Sequence, residues 1–363
     1  MNERATRYEM IQVLRFVAAT LVVCGHSLIH VGEKIPMPAL PTAFFAWSGG
    51  WSVTLFFCIS GFVITHTAQK MNSLEFILRR FLRIYSGYFL AVLLVFVAKG
   101  LIFHGFSTAE ISFGALSLFP LGTIPYPLWI EWSLVFEVFF YVLFAIVWIT
   151  KSNRVVLATA AIWLALISLN SMSESSPRLV TIGQVFLSAR NIPFILGVFS
   201  YFIFSKISDE LRRLLLVAGI ALAFTANIFV SDFWIIVGQS VSALCLVLWA
   251  ANAKISGKSF FVVFGNYSYG IYLVHTSVIM IILSGTPLIG TGALTTLVTA
   301  FLLAMMVGLL FGFIEHHVHE RLKNFLLHDT LIGRWIRTSS KPHQPLSAWK
   351  KLLGVSAVGN RGD

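Results

Sequence analysis

Residues 12–30 read QVLRFVAATLVVCGHSLIH, a run long and apolar enough for a membrane-spanning helix that nevertheless carries an arginine and two histidines. At about 100° per residue, Arg15 and His26, eleven positions apart, return to the same direction within about 20°, so both project from one helix face. They are separated by roughly 16 Å along the axis, and His30 continues the face one turn further. Ionisable side chains in hydrocarbon are costly unless they meet a protein interior or a water-filled cavity, so one shared face points to one shared cavity. The plain alternative is an arginine reaching for the interface and a histidine satisfied by a backbone carbonyl.

The rest of the chain supports a membrane setting. Of its 363 residues, 57% are hydrophobic and 11% charged, and the mean hydropathy is +0.84, which excludes an ordinary soluble domain. Apolar segments at roughly 9–30, 43–67, 84–104, 128–149, 155–170, 180–204, 213–231, 233–251, 261–283 and 292–315 predict an all-α polytopic membrane protein of about ten transmembrane helices. The apolar stretch from about 111 to 122 is too short to span and is expected to be re-entrant or interfacial.

The formal charge of +11 is distributed by topology. Lys70, Arg79, Arg80 and Arg83, then Lys151 and Arg154, then Lys206, Arg212 and Arg213, then Lys254 and Lys258 fall in every second connection, and Arg321, Lys323, Arg334 and Arg337 follow the last segment. This bias places the N and C termini in the cytoplasm and leaves no reason to invoke nucleic acid. The first helix carries no small-residue cleavage site and is expected to remain. Residues 1–328 are read as one transmembrane domain and 329–363 as a basic, disordered cytoplasmic tail. Cys24, Cys58 and Cys245 sit in apolar segments without metal-ligand spacing, so no metal is expected.

Several further stretches combine polar groups with apolar helices. In RRFLRIY (79–85), Arg80 and Arg83 share a helix face and suit an anionic group such as phosphate, although basic residues also mark a cytoplasmic helix end. Trp129, Ser133, Glu137 and Tyr141 recur every four residues, and Glu137 falls roughly 12 Å below the outer edge, a depth comparable to that of His26. A carboxylate so placed is a functional candidate whose natural partner is a buried base or cation. Ser60 and Gly61 read as small residues for close helix packing. Tyr269, Tyr272 and His275 line one side of a later helix, while Glu315 with His316, His317 and His319 lacks the spacing of a zinc protease.

Taken together, these stretches resemble the membrane-bound acyltransferase-3 family over roughly residues 10–320. Arg15 and His26 match its Arg-x10-His signature, FFCISGF (56–62) its FFxxSGF segment and RRFLRIY its RxxR motif. WSLVFEVFFY (132–141) is similar to its WSLxxExxFY core, and SYGIYLVH (268–275) to its SYxxYLxH segment. Val138 departs from the second acidic residue common there, and no proline follows Glu315. The resemblance implies a stand-alone integral membrane O-acyltransferase of the bacterial cytoplasmic (inner) membrane. Its donor would be cytoplasmic acyl-CoA, with acetyl-CoA expected, and its acceptor a hydroxyl of a cell-surface glycan such as exopolysaccharide, or a lipid-linked saccharide precursor.

On that reading His26 and Glu137 are the catalytic residues, His26 as general base or transient acyl carrier and Glu137 as the group that orients it. Arg15, Arg80 and Arg83 would hold coenzyme A phosphates, and Ser133, Tyr141, Trp132, His30, Tyr272 and His275 would line the substrate channel. A second reading stays open, a transporter or flippase of a glycan precursor or small anion that uses the same buried charges, although no inverted repeat or paired broken helices support it.

Overall fold

The computed structural model describes residues 8–37, 39–103, 108–120, 122, 124–171, 181–226, 231–285 and 292–330. The expected tail lies almost entirely outside them. Among the described residues all regular structure is helical. In chain order the α-helices are α1 (Glu9–Gly32), α2 (Ala39–Ala68), α3 (Ser73–Phe103), α4 (Phe113–Ser117), α5 (Glu131–Trp148) and α6 (Asn153–Ser171). They continue as α7 (Ile182–Leu187), α8 (Ile192–Ile203), α9 (Asp209–Thr225), α10 (Asp232–Ala250), α11 (Phe260–Gly285) and α12 (Ala293–Asn324). Eight of the described helices are long and apolar enough to cross a membrane.

The difference from the expected ten has local causes. The segment at 180–204 is broken into α7 and α8 by a 3-10 turn at Ala189–Asn191. Pro193 opens α8, where no amide donor is needed, and Asn191 Nδ2 donates to the carbonyls of Val185 (2.6 Å) and Ser188 (3.2 Å) freed by the break. Helix α9 is only 17 residues long. Helix α3 begins eleven residues earlier than apolarity alone predicts, because Asn72 Oδ1 accepts the Glu75 amide at 2.8 Å and Glu75 in turn pairs with Arg79 at 2.7 Å.

Packing directions follow from contacts between helices. Gly265 of α11 lies against the Gln12 backbone and Thr276 against His26, so α1 and α11 run side by side in one direction. Phe57 meets Phe136 and Ser60 meets Glu137, so α2 and α5 run together. Two pairs of glycines permit the closest crossings. A Cβ on Gly61 would collide with the Phe194 carbonyl and one on Gly197 with that of Cys58, while Gly270 and Gly312 meet backbone to backbone between α11 and α12. Among the eight candidate spans burial is greatest in α2 and α11 and least in α6 and α12, which present their apolar sides outward to lipid.

The connection between α3 and α5 shapes the site. Glu110 pairs with Lys99 near the end of α3, after which Tyr88 donates to the Ala115 carbonyl (2.9 Å) and Tyr85 to that of Ser117 (2.6 Å). The chain therefore folds back along α3 to about its midpoint, as the short apolar stretch predicts. Residues 124–130 are irregular, and α5 starts inside the bundle, with Ser133 bonded to Tyr272 one residue before Leu273, which touches Gly87. Irregular backbone at membrane depth is tolerated where it lines a cavity or is buried in protein.

Candidate active site

Helices α1, α2, α3, α5 and α11 enclose a cavity of about 110 Å³. Arg15, Arg80, Arg83, Ser133, Glu137, Tyr141 and Tyr272 all line it, together with Ser60 and Tyr269. Three guanidinium groups thus face a lining with one carboxylate, so the space favours an anionic guest. Arg15 contacts Gln12 Oε1 at 3.4 Å, and Arg80 donates to Thr67 Oγ1 at 2.5 Å with its guanidinium 5.8 Å from the Tyr141 ring centre. Arg83 pairs with Glu315 at 3.1 Å and lies 4.8 Å from the Tyr269 ring centre. The Glu315 carboxylate is fully buried behind the lining, so this pair fixes α3 against α12 as well as placing a charge at the cavity.

Glu137 accepts hydrogen bonds from the Tyr141 hydroxyl and from Ser60 Oγ (3.2 Å). Its neighbours are therefore the arginine layer and not His26. From Ser133, level with Tyr272, Glu137 lies one turn in one direction and His275 nearly one turn in the other, which separates the two layers by roughly 10 Å. The expectation of equal depth placed the start of α5 at the membrane edge. Its actual start inside the bundle sinks Glu137 deeper, about one layer away from His26.

The polar neighbours of His26 are Thr276 and His275. His26 Nδ1 lies 3.1 Å from Thr276 Oγ1, Thr276 Oγ1 lies 3.1 Å from His275 Nε2, and His275 Nδ1 lies 2.7 Å from the Tyr272 carbonyl oxygen. A carbonyl only accepts, so neutral His275 carries its proton on Nδ1. Its Nε2 then accepts from the Thr276 hydroxyl, whose oxygen accepts from His26 Nδ1–H. The polarity of this chain leaves Nε2 of His26 with a lone pair, the form required of a base or nucleophile.

A second cavity, of about 170 Å³, adjoins the histidines on the side away from the arginines. Thr276 belongs to its lining, alongside Lys99, Trp129, Ser277 and Ser284. Neither lining includes His26 or His275, although Tyr272 of the first lining and Thr276 of the second flank His275 along α11.

Three of the expected channel residues line neither cavity: His275 stands in the hydrogen-bond chain just described, and His30 and Trp132 lie elsewhere. His30 contacts Glu33 at 3.1 Å near the end of α1, its ring 5.9 Å from that of His26. Trp132 packs on Phe57 and Phe136, with the Arg190 guanidinium 4.7 Å from its ring centre. Trp129 precedes α5 and has φ +71°, so it does not continue the helical stripe of Ser133, Glu137 and Tyr141. Ser60, assigned to packing by its size, instead bonds to Glu137, whereas Gly61 does pack closely. Thr276 carries no signal in sequence, being one hydroxyl beside His275 in an apolar helix. His317 bonds to the Phe313 carbonyl and His319 contacts Ser86, so these histidines diverge. Among the described residues no three His, Cys, Asp or Glu side chains converge as metal ligands.

A family model described as an acyltransferase domain matches residues 8–315. No curated protein and no solved structure matches the chain.

Proposed function

Because the chain belongs to the acyltransferase-3 family, matched over residues 8–315, we propose that this multi-pass membrane acyltransferase moves an acyl group from cytoplasmic acyl-CoA to a glycan hydroxyl. The acyl group is acetyl, and the acceptor is a cell-surface glycan of the exopolysaccharide kind or its lipid-linked precursor. The observation that carries the reading is the convergence of Arg15, Arg80 and Arg83 on one cavity whose Tyr272 wall lies one turn of α11 from the Thr276 that joins His26 to His275. Coenzyme A is polyanionic, so its phosphates seat against the arginines while the thioester arm extends past Ser133 and Tyr272 towards the histidines. The arginine end then faces the cytoplasm, in keeping with the basic connections on that side, and the enzyme resides in the bacterial inner membrane.

In the transfer, His26 Nε2 takes the proton of the acceptor hydroxyl as its oxygen attacks the thioester carbonyl. The C–S bond breaks, and the imidazolium returns the proton to the coenzyme A thiolate. Thr276 accepts from His26 Nδ1–H throughout, which stabilises the imidazolium as it forms. A transient acyl-histidine uses the same lone pair and the same partner. The test is release of free coenzyme A with formation of an acetylated product when purified protein in detergent receives radiolabelled acetyl-CoA and O-deacylated surface polysaccharide. A transporter forms no covalent product under these conditions.

A further inference from the structure

The second cavity carries an inference that rests on the acyl-transfer reading and gives it an acceptor site. We propose that this cavity binds one sugar ring of the acceptor glycan, with the Trp129 indole as its stacking platform.

The backbone at Trp129 is the first ground. Its φ of +71° lies in the left-handed region, which costs a bulky L-residue about 1–2 kcal/mol and which glycine adopts freely. The conformation is held from both sides. Leu128 and Ile130 are buried in the core, and the Leu128 amide donates to the buried Glu131 carboxylate at 2.7 Å. Between these anchors the Trp129 side chain is turned out, 60% exposed, into the cavity wall. A large ring kept at a strained position, with little burial in return, marks a site of use.

The chemistry of the wall is the second ground. An indole face suits the C–H face of a sugar, and the hydroxyls of Ser277 and Ser284 with the Lys99–Glu110 ion pair offer donors and acceptors for sugar hydroxyls around it. A volume of about 170 Å³ is space for roughly five or six waters at about 30 Å³ each, the room one sugar ring needs. Position is the third ground. Thr276 belongs both to this wall and to the hydrogen-bond chain of His26, so a sugar at this end of the cavity lies one side chain away from His26.

The test uses the full-length protein in lipid nanodiscs and, as probe, oligosaccharides cut from the source strain's surface polysaccharide and O-deacylated with mild base. Binding is titrated by saturation-transfer NMR without donor, for the wild type, Trp129→Gly and Trp129→Phe. Trp129→Gly should weaken binding about tenfold without lowering the melting temperature, since glycine relieves the strained φ, and Trp129→Phe should retain most of the affinity. Equal binding by wild type and Trp129→Gly, or no binding by either, overturns the site. Acetyl-CoA turnover on the same samples separates the two claims. Trp129-dependent binding without coenzyme A release by the wild type removes acyl transfer and leaves the saccharide site. Acetylation by the wild type with binding unchanged in Trp129→Gly removes the site alone.

Discussion

Replacing Thr276 with valine keeps the shape of a residue that is 2% exposed and removes the hydroxyl joining His26 to His275. His26 Nδ1–H then loses its acceptor at the moment the ring becomes cationic. A hydrogen bond to a charged group contributes about 1.5–3 kcal/mol, so the barrier rises by that amount and kcat falls roughly 10- to 150-fold. The assay is steady-state release of coenzyme A by detergent-purified protein at saturating acceptor, with acetyl-CoA varied. The Michaelis constant for acetyl-CoA should stay within about twofold, because Thr276 lies outside the arginine-lined cavity. Thr276→Ser should recover most of the rate, which a purely steric role for the methyl group does not predict. A Thr276→Val protein that elutes as the wild type does and keeps its full kcat refutes the polarity derived for the histidine chain.

Two further perturbations address the arginine layer. Arg80→Ala removes a charge from the cavity and should raise the Michaelis constant for acetyl-CoA at least tenfold with little change in kcat, whereas an unchanged constant returns Arg80 to a topological role. Arg83→Ala leaves the buried Glu315 carboxylate uncompensated and should cost about 3–5 kcal/mol, read as a lower melting temperature in detergent. Arg83→Ala with Glu315→Gln should recover most of that stability but keep a raised Michaelis constant for acetyl-CoA, and a double variant no more stable than the single one contradicts the pairing.

Much of this arrangement is legible in the sequence because helical periodicity carries polar groups along one face. The facing of Ser133, Glu137 and Tyr141 follows from their spacing, as does the adjacency of Arg80 and Arg83, and all five line one cavity with Arg15. What spacing does not convey is which side chains from distant helices meet. Arg83 and Glu315 are 232 positions apart, and nothing local in either segment announces the pair. The same holds for Thr276, whose hydroxyl looks like any other in an apolar helix until His26 is placed beside it. Ser60 and Gly61 are both small, and only the direction each faces separates a hydrogen-bonding group from a packing one.

Depth is not legible for a related reason. Apolarity extends through Leu128 and Ile130, so a helix counted from residue 128 starts too early, and the left-handed backbone at Trp129 that delays it leaves no mark in composition. The break between α7 and α8 was half visible, since Asn191 and Pro193 stand at it. Its turn depends on the Asn191 side chain reaching the carbonyls of Val185, Phe186 and Ser188, which the sequence does not specify.

The most direct measurement is proton NMR of surface polysaccharide from a strain lacking this protein, complemented either with the intact chain or with His26→Ala. An O-acyl signal should be absent in the deletion strain, return with the intact chain and fail to return with His26→Ala, although the variant is present in the membrane at the same level. An unchanged O-acyl signal in the deletion strain, accompanied by a fall in the amount of exported glycan, contradicts acyl transfer and favours transport.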